Sequence, residues 1–107
     1  MMFDVNIQEP YFGFILNGSK TIEGRLNKGK FLDIKIGDTL KINNNAEFIV
    51  VAKNIYSSFK DMITVEGLKN VTPDVDNIDE AVAVYYKFYA KEDEQKYGVV
   101  GIKIIKK

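Results

Sequence analysis

The chain has 107 residues, enough for one domain with its own core, and 46% of them are hydrophobic, too many for a disordered segment. Fifteen Lys and Arg balance fifteen Asp and Glu, so wholesale electrostatic attraction to nucleic acid or to an anionic membrane is not implied. With no Cys, disulfides, thiolate metal sites and a cysteine nucleophile are excluded, and with no His any catalysis falls to Lys, carboxylates, Tyr, Ser or Thr.

The N-terminus, Met1 to Asn6, lacks the basic flank and long apolar run of a signal peptide. No apolar run approaches the length of a membrane span, so a soluble, intracellular, cytoplasmic protein is expected. Met2 to Ile7 alternates as a first strand. Pro10 suits the first turn of a helix that carries Tyr11, Phe12, Phe14, Ile15 and Leu16 and stops at Asn17-Gly18. A strand from Lys20 to Leu26 follows, then a polar loop over residues 27–30. Lys35 to Asp38 reads as a turn before a strand, Thr39 to Asn43, which the asparagines 43 to 45 join as a hairpin to a long strand, Ala46 to Tyr56, either buried on both sides or bulged near Asn54. Ser57 or Ser58 caps a short helix, Phe59 to Ile63, and residues 67–76 read as irregular. Asn77 and Glu80 have the spacing of a capping box, ahead of a helical stripe of Ile78, Ala81, Val82, Tyr85 and Tyr89. Lys91 to Lys96 is a solvated helix end or loop, and Tyr97 to Ile104 is the closing strand. The strands outnumber the available crossovers, which predicts an α+β fold: a small, mostly antiparallel barrel, residues 1–107, with flanking helices.

One stretch concentrates polar chemistry: Gly18-Ser19-Lys20-Thr21-Ile22-Glu23-Gly24-Arg25. On a strand, Ile22 and Leu26 share one face and Thr21, Glu23 and Arg25 the other, with the Lys20 amine at the entrance. The charged set cannot enter a core unpaired. Lys20 suits an anion, or serves as a base if burial and Arg25 depress its pKa; Glu23 beside it would raise that pKa, which favours the anion-binding role. Arg25 suits a phosphate or base edge, or a local pair with Glu23. Positions 20 to 42 hold six cations against three anions, including Lys28 and Lys30, which is either a basic binding patch or ordinary solvated surface. Tyr11 and Tyr97 are candidates to stack a planar ligand, or amphipathic core residues with their hydroxyls at the rim. Carboxylates are scattered and no phosphate-loop or dinucleotide glycine pattern occurs, so no metal site or cofactor is expected.

The sequence resembles the ASCH domain family of PUA-like barrels. The resemblance rests on Pro10-Tyr11, the Gly18-x-Lys20-x-x-Glu23-x-Arg25 pattern, Ile34-Lys35-x-Gly37-Asp38-x-Leu40, Tyr56-x-x-Phe59 and Lys96-Tyr97-Gly98-Val99. It implies a PUA-like barrel with the Lys20–Arg25 strand on the wall of a cleft between barrel and helices. ASCH domains are generally regarded as RNA-binding, and some are ribonucleases or amidohydrolases that remove the acetyl group of N4-acetylcytidine. In that enzyme branch the lysine falls on Lys20 and the arginine on Arg25, but the nucleophilic threonine falls on Glu23; Thr21 lies two positions away, and Asp74 is a loose match for the branch's acidic residue.

Two functions follow as expectations, beside a third and plainer one, a protein-interaction module with no catalysis. The first is an RNA- or nucleotide-binding domain whose cleft is lined by Lys20, Thr21, Glu23 and Arg25, with Tyr11 and Tyr97 as aromatic partners. The second is a hydrolase acting on a modified nucleoside or on RNA, with Lys20 and Glu23 catalytic and Thr21, or a Glu23-activated water, attacking. Oligomeric state is not legible.

Overall fold

The computed structural model describes residues 1–107. In chain order its elements are β1 (Met2–Val5), α1 (Tyr11–Leu16), β2 (Ile22–Leu26), α2 (Lys30–Asp33), β3 (Thr39–Ile42), β4 (Ala46–Tyr56), α3 (Phe59–Glu66), α4 (Leu68–Val71), α5 (Ile78–Tyr86), α6 (Lys91–Tyr97) and β5 (Val99–Lys106). The strands form one sheet in the order β1-β3-β4-β5-β2. Only β1 and β3 pair in parallel; the other pairings are antiparallel. The sheet curls into a half-barrel flanked by helices, as the strand pattern predicts.

Period-2 alternation along β5 sorts the molecule into two cores. Val100, Ile102 and Ile104 join the larger core with Leu40, Ile42 and Phe48. Val99 joins the second core with Phe59, Met62 and Ile63 of α3 and with Ile22 and Leu26 of β2. Gly24 of β2 stands opposite Gly101 of β5. A Cβ on Gly24 would lie 2.7 Å from Met62 Sδ, and one on Gly101 would lie 3.2 Å from Met62 Cγ. The paired glycines therefore let α3 approach the sheet.

The β3–β4 hairpin turns through Asn43 and Asn44, both at φ 53°, which asparagine tolerates better than most residues. The Asn43 side chain also accepts from Ile7 N at 2.7 Å and donates to Ile7 O at 2.9 Å. One turn residue thus fixes the segment leaving β1, which becomes a wall of the site.

Four local expectations are corrected. The strand expected from Lys20 begins at Ile22, because Lys20 N bonds Phe14 O and Thr21 N bonds Asn70 O. The irregularity in β4 lies between Val50 and Ala52, not near Asn54. The stretch 67–76, expected to be irregular, contains the single turn α4, and the single turn α2 begins at Lys30, the last residue of the loop expected over 27–30. The charged run 91–96 is a separate helix, α6, whose only buried residue is Glu94. Glu94 accepts from Phe59 N at 2.8 Å and from Tyr86 Oη at 2.7 Å. A helix anchored by a carboxylate has no apolar stripe to betray it.

Candidate functional site

α1 ends at Leu16 with Asn17 as its cap, and Gly18 at φ 84° reverses the chain. This sends the Lys20 side chain inward, where it is 3% exposed. Its Nζ donates to Ile22 O and Val71 O, each at 2.6 Å, and stands 3.6 Å from Glu23 Oε1. Glu23, 6% exposed, turns its other oxygen to Arg25, accepting from Nε at 3.1 Å and Nη2 at 2.9 Å. Arg25 Nη2 also donates to Asn6 O, which ties the end strand β2 to the segment after the opposite end strand, β1. The bonds of Arg25 use Nε and Nη2, leaving Nη1 without a protein acceptor.

The result is a carboxylate held between two cations. Burial pushes the Lys20 amine below its ordinary pKa, and this outweighs the upward pull of Glu23. Of the two opposed effects expected from sequence, the carboxylate acts in its expected direction, but desolvation is larger. Burial alone would lower the Arg25 pKa, but Glu23 beside it makes the net direction upward.

The three residues border a cavity of about 250 Å³. The rest of the lining includes Asn6, Ile7, Gln8 and Tyr11 from the segment after β1 and the start of α1, Thr72 after α4, and Val84, Tyr85, Phe88 and Tyr89 from α5 and the residues after it. Tyr85 and Tyr89 stack on Phe59 with ring centroids at 4.4 and 5.3 Å, which fixes this aromatic wall. The volume falls just under the ~300–1,000 Å³ usual for drug-sized ligands, which suits a single heterocycle.

Of the residues singled out from sequence, Tyr11, Lys20, Glu23 and Arg25 border this cavity; Thr21 and Tyr97 do not. Thr21 lies before the strand, its amide bonded to Asn70 O and its carbonyl to Ile104 N. Tyr97 ends α6, its ring 4.9 Å from Lys28 Nζ and 5.2 Å from Lys96 Nζ. Asp74 is near enough to raise the pKa of Tyr11, as a smaller contribution after burial. Sequence reasoning assigned Tyr85 and Tyr89 to a core stripe and passed over Phe88. The only signal was the aromatic density of Tyr85-Tyr86-Lys87-Phe88-Tyr89.

A mostly antiparallel half-barrel, with helices enclosing a cavity beside an end strand, defines a PUA-like domain. The family model described as ASCH domain matches residues 5–107, and the chain belongs to the ASCH domain family, which is generally regarded as RNA-binding. The crystal structure of hypothetical protein PH0355 is similar at 42% identity and a TM-score of 0.97, covering 100% of both chains. The solution NMR structure of protein PF0455 from Pyrococcus furiosus is similar at 40% identity and a TM-score of 0.85, covering 99% of this chain and 97% of that one. No curated protein matches the chain. No helix is long and apolar enough to cross a membrane.

Proposed function

We propose that the protein binds RNA or a nucleotide-like ligand by taking one base into the cavity beside β2. The observation that carries this reading is the meeting of Arg25 with the aromatic wall: a guanidinium with an unused nitrogen, next to Tyr11, Tyr85, Phe88 and Tyr89. Planar rings sandwich a base at ~1–3 kcal/mol per stack, and the free Nη1 donates to an attached phosphate or to a base carbonyl. Glu23 orients both cations and offers its remaining lone pairs to an exocyclic amine. Lys20 spends two protons on backbone carbonyls, so its part is to hold Glu23 and to contribute positive potential rather than to grip the anion.

Titration of ribonucleoside 5′-monophosphates, followed by NMR shifts or calorimetry, tests the reading. Phe88 is half-exposed, so Phe88→Ala should leave the fold intact while weakening binding about tenfold. Arg25→Ala should weaken it at least as much. Absence of binding by all four monophosphates and by short single-stranded RNA would remove the proposal.

One observation favours the hydrolase reading: a buried lysine with a lowered pKa stands beside a carboxylate on a cavity wall. Thr21 is off the lining, so in that reading Glu23 activates a water and Lys20 holds the carboxylate. Chromatography of N4-acetylcytidine incubated with the protein separates the two: release of cytidine, abolished by Glu23→Gln, would establish the enzyme.

A further inference from the structure

A second hollow, of about 460 Å³, adjoins the first. It is lined by Leu26, Lys28, Gly29, Lys30, Phe31 and Asp93, and it shares Arg25, Phe88 and Tyr89 with the cavity. These three residues therefore form a ridge between two depressions. The half-exposed Phe88 offers ring surface on the ridge, and Phe31 offers a second ring, with Arg25 Cζ 5.1 Å from its centroid. Among the ionisable side chains of this lining, Arg25, Lys28 and Lys30 are cationic and only Asp93 is anionic.

The arrangement differs in kind from the first cavity. That cavity is smaller, with its carboxylate paired; this one is larger, carries an excess of positive charge and has aromatic surface. We infer that the second hollow holds the nucleotide adjoining the captured base, so that the ligand is a single-stranded nucleic acid chain rather than a free nucleoside. The inference rests on the reading of the first cavity given above. The linking phosphate crosses the ridge at Arg25 Nη1, the guanidinium nitrogen left without a protein acceptor. The neighbouring base stacks on Phe88 or Phe31, and Lys28 and Lys30 neutralise the next phosphate. An alternating set of rings and cations matches the alternation of bases and phosphates along an unpaired strand.

The test compares four ribonucleoside 5′-monophosphates with the four homopentanucleotides, as ribo- and deoxyribo-oligomers, by fluorescence competition at several salt concentrations. The preferred pentanucleotide should bind about ten- to a hundredfold more tightly than its monophosphate, the gain expected of one further stacked base with its phosphate contacts. Lys28→Ala combined with Lys30→Ala should remove most of that gain and flatten the salt dependence by about one unit of slope, while monophosphate affinity stays unchanged. Asp93→Asn should tighten the pentanucleotide alone, an effect of opposite sign that a merely structural role would not produce. A ribo-oligomer preference over the deoxy-oligomer would identify RNA as the chain, and equal affinity would identify unpaired nucleic acid in general; both support the second hollow. Equal affinity for monophosphate and pentanucleotide, or pentanucleotide binding indifferent to both lysines, would overturn it while leaving the first cavity's role standing. Pentanucleotide binding that depends on the lysines but is unchanged by Tyr11→Ala, a residue of the first cavity alone, would remove the captured base and with it the account of the second hollow as its neighbour's seat. If neither kind of ligand binds, both readings fall.

Discussion

Arg25 and Glu23, two residues apart on β2, meet through two hydrogen bonds to the same carboxylate oxygen, while the other oxygen faces the buried Lys20 amine. The carboxylate is therefore the joint on which two cations depend. Replacing it with Glu23→Ala leaves Lys20 and Arg25 in a low-dielectric site with no counter-charge. Removing one partner of a buried ion pair typically costs about 3–5 kcal/mol, and the loss should fall toward the lower end because Arg25 is partly exposed and keeps Asn6 O. Urea denaturation measures it. A change under about 1 kcal/mol would show that the triad is not a structural unit.

Gly24 admits two side chains at once. A Cβ there would lie 2.7 Å from both Cε and Sδ of Met62 and 2.9 Å from Tyr85 Oη. Met62 is fully buried and Tyr85 is stacked on Phe59, so neither retreats freely. Gly24→Ala should cost about 1–3 kcal/mol by overpacking. It should also weaken nucleotide binding more than stability alone explains, because the displaced phenol belongs to the cavity wall. A variant as stable as the parent, with unchanged affinity, would show that this close approach has no consequence.

The strand pattern made the pairing of Glu23 with Arg25 legible, since i and i+2 share a face. It misplaced Thr21 because alternation holds only inside a strand, and β2 starts one residue later. Ile22 and Leu26 were readable as core for the same reason that Glu23 and Arg25 were readable as polar: one period sorts both sets. Tyr85 and Tyr89 were hidden by serving two purposes, since a residue stacked on Phe59 and facing a cavity follows the same helical stripe as a plain core residue. Tyr97 was readable as the start of the closing strand; in space it ends α6 and lies beneath Lys28 and Lys96. For Lys20 both opposing effects were readable, but which one wins depended on the depth of its burial, which no local pattern reports.

Stability should depend on alkaline pH through the tyrosines. Burial and a hydrogen bond to Glu66 push Tyr56 up to about 12; a hydrogen bond to Glu94 and burial push Tyr86 up to about 12. Burial also raises Tyr85 and Tyr89. In the unfolded chain these phenols titrate near ~10. The folded state thus holds more protons above that pH, so the stability they confer is complete below pH ~10 and is lost as pH rises through about 12. Lys20 acts in the opposite sense: its folded pKa is lowered, so the cost of burying its charge is relieved as pH climbs toward its unfolded value of ~10.4. The urea midpoint should therefore hold or rise slightly up to pH ~10 and fall beyond it, with a shallower fall in Tyr86→Phe. A midpoint flat from pH ~10 to ~12 would contradict these assignments.

Glu94 joins three elements from a position with no counter-cation in hydrogen-bond contact. One carboxylate oxygen accepts from Phe59 N, in the first turn of α3, and the other accepts from the Tyr86 hydroxyl at the end of α5. A negative charge at a helix N-terminus is favourable, and the amide it satisfies has no intrahelical acceptor. Glu94→Gln keeps the shape: its amide oxygen takes the Phe59 N–H, and its NH2 group donates to a Tyr86 hydroxyl that has turned to accept. The loss is then mainly the charge assistance, about 1–2 kcal/mol. Glu94→Ala instead leaves the Phe59 amide buried without a partner and opens space beneath α6, for about 2–4 kcal/mol. A double-mutant cycle with Tyr86→Phe should give a coupling of about 0.5–3 kcal/mol for Glu94→Ala, because once the carboxylate is gone the phenol has nothing left to lose. Strictly additive effects would mean that the carboxylate and the phenol do not act together, and that α6 is held in place by something other than this pair.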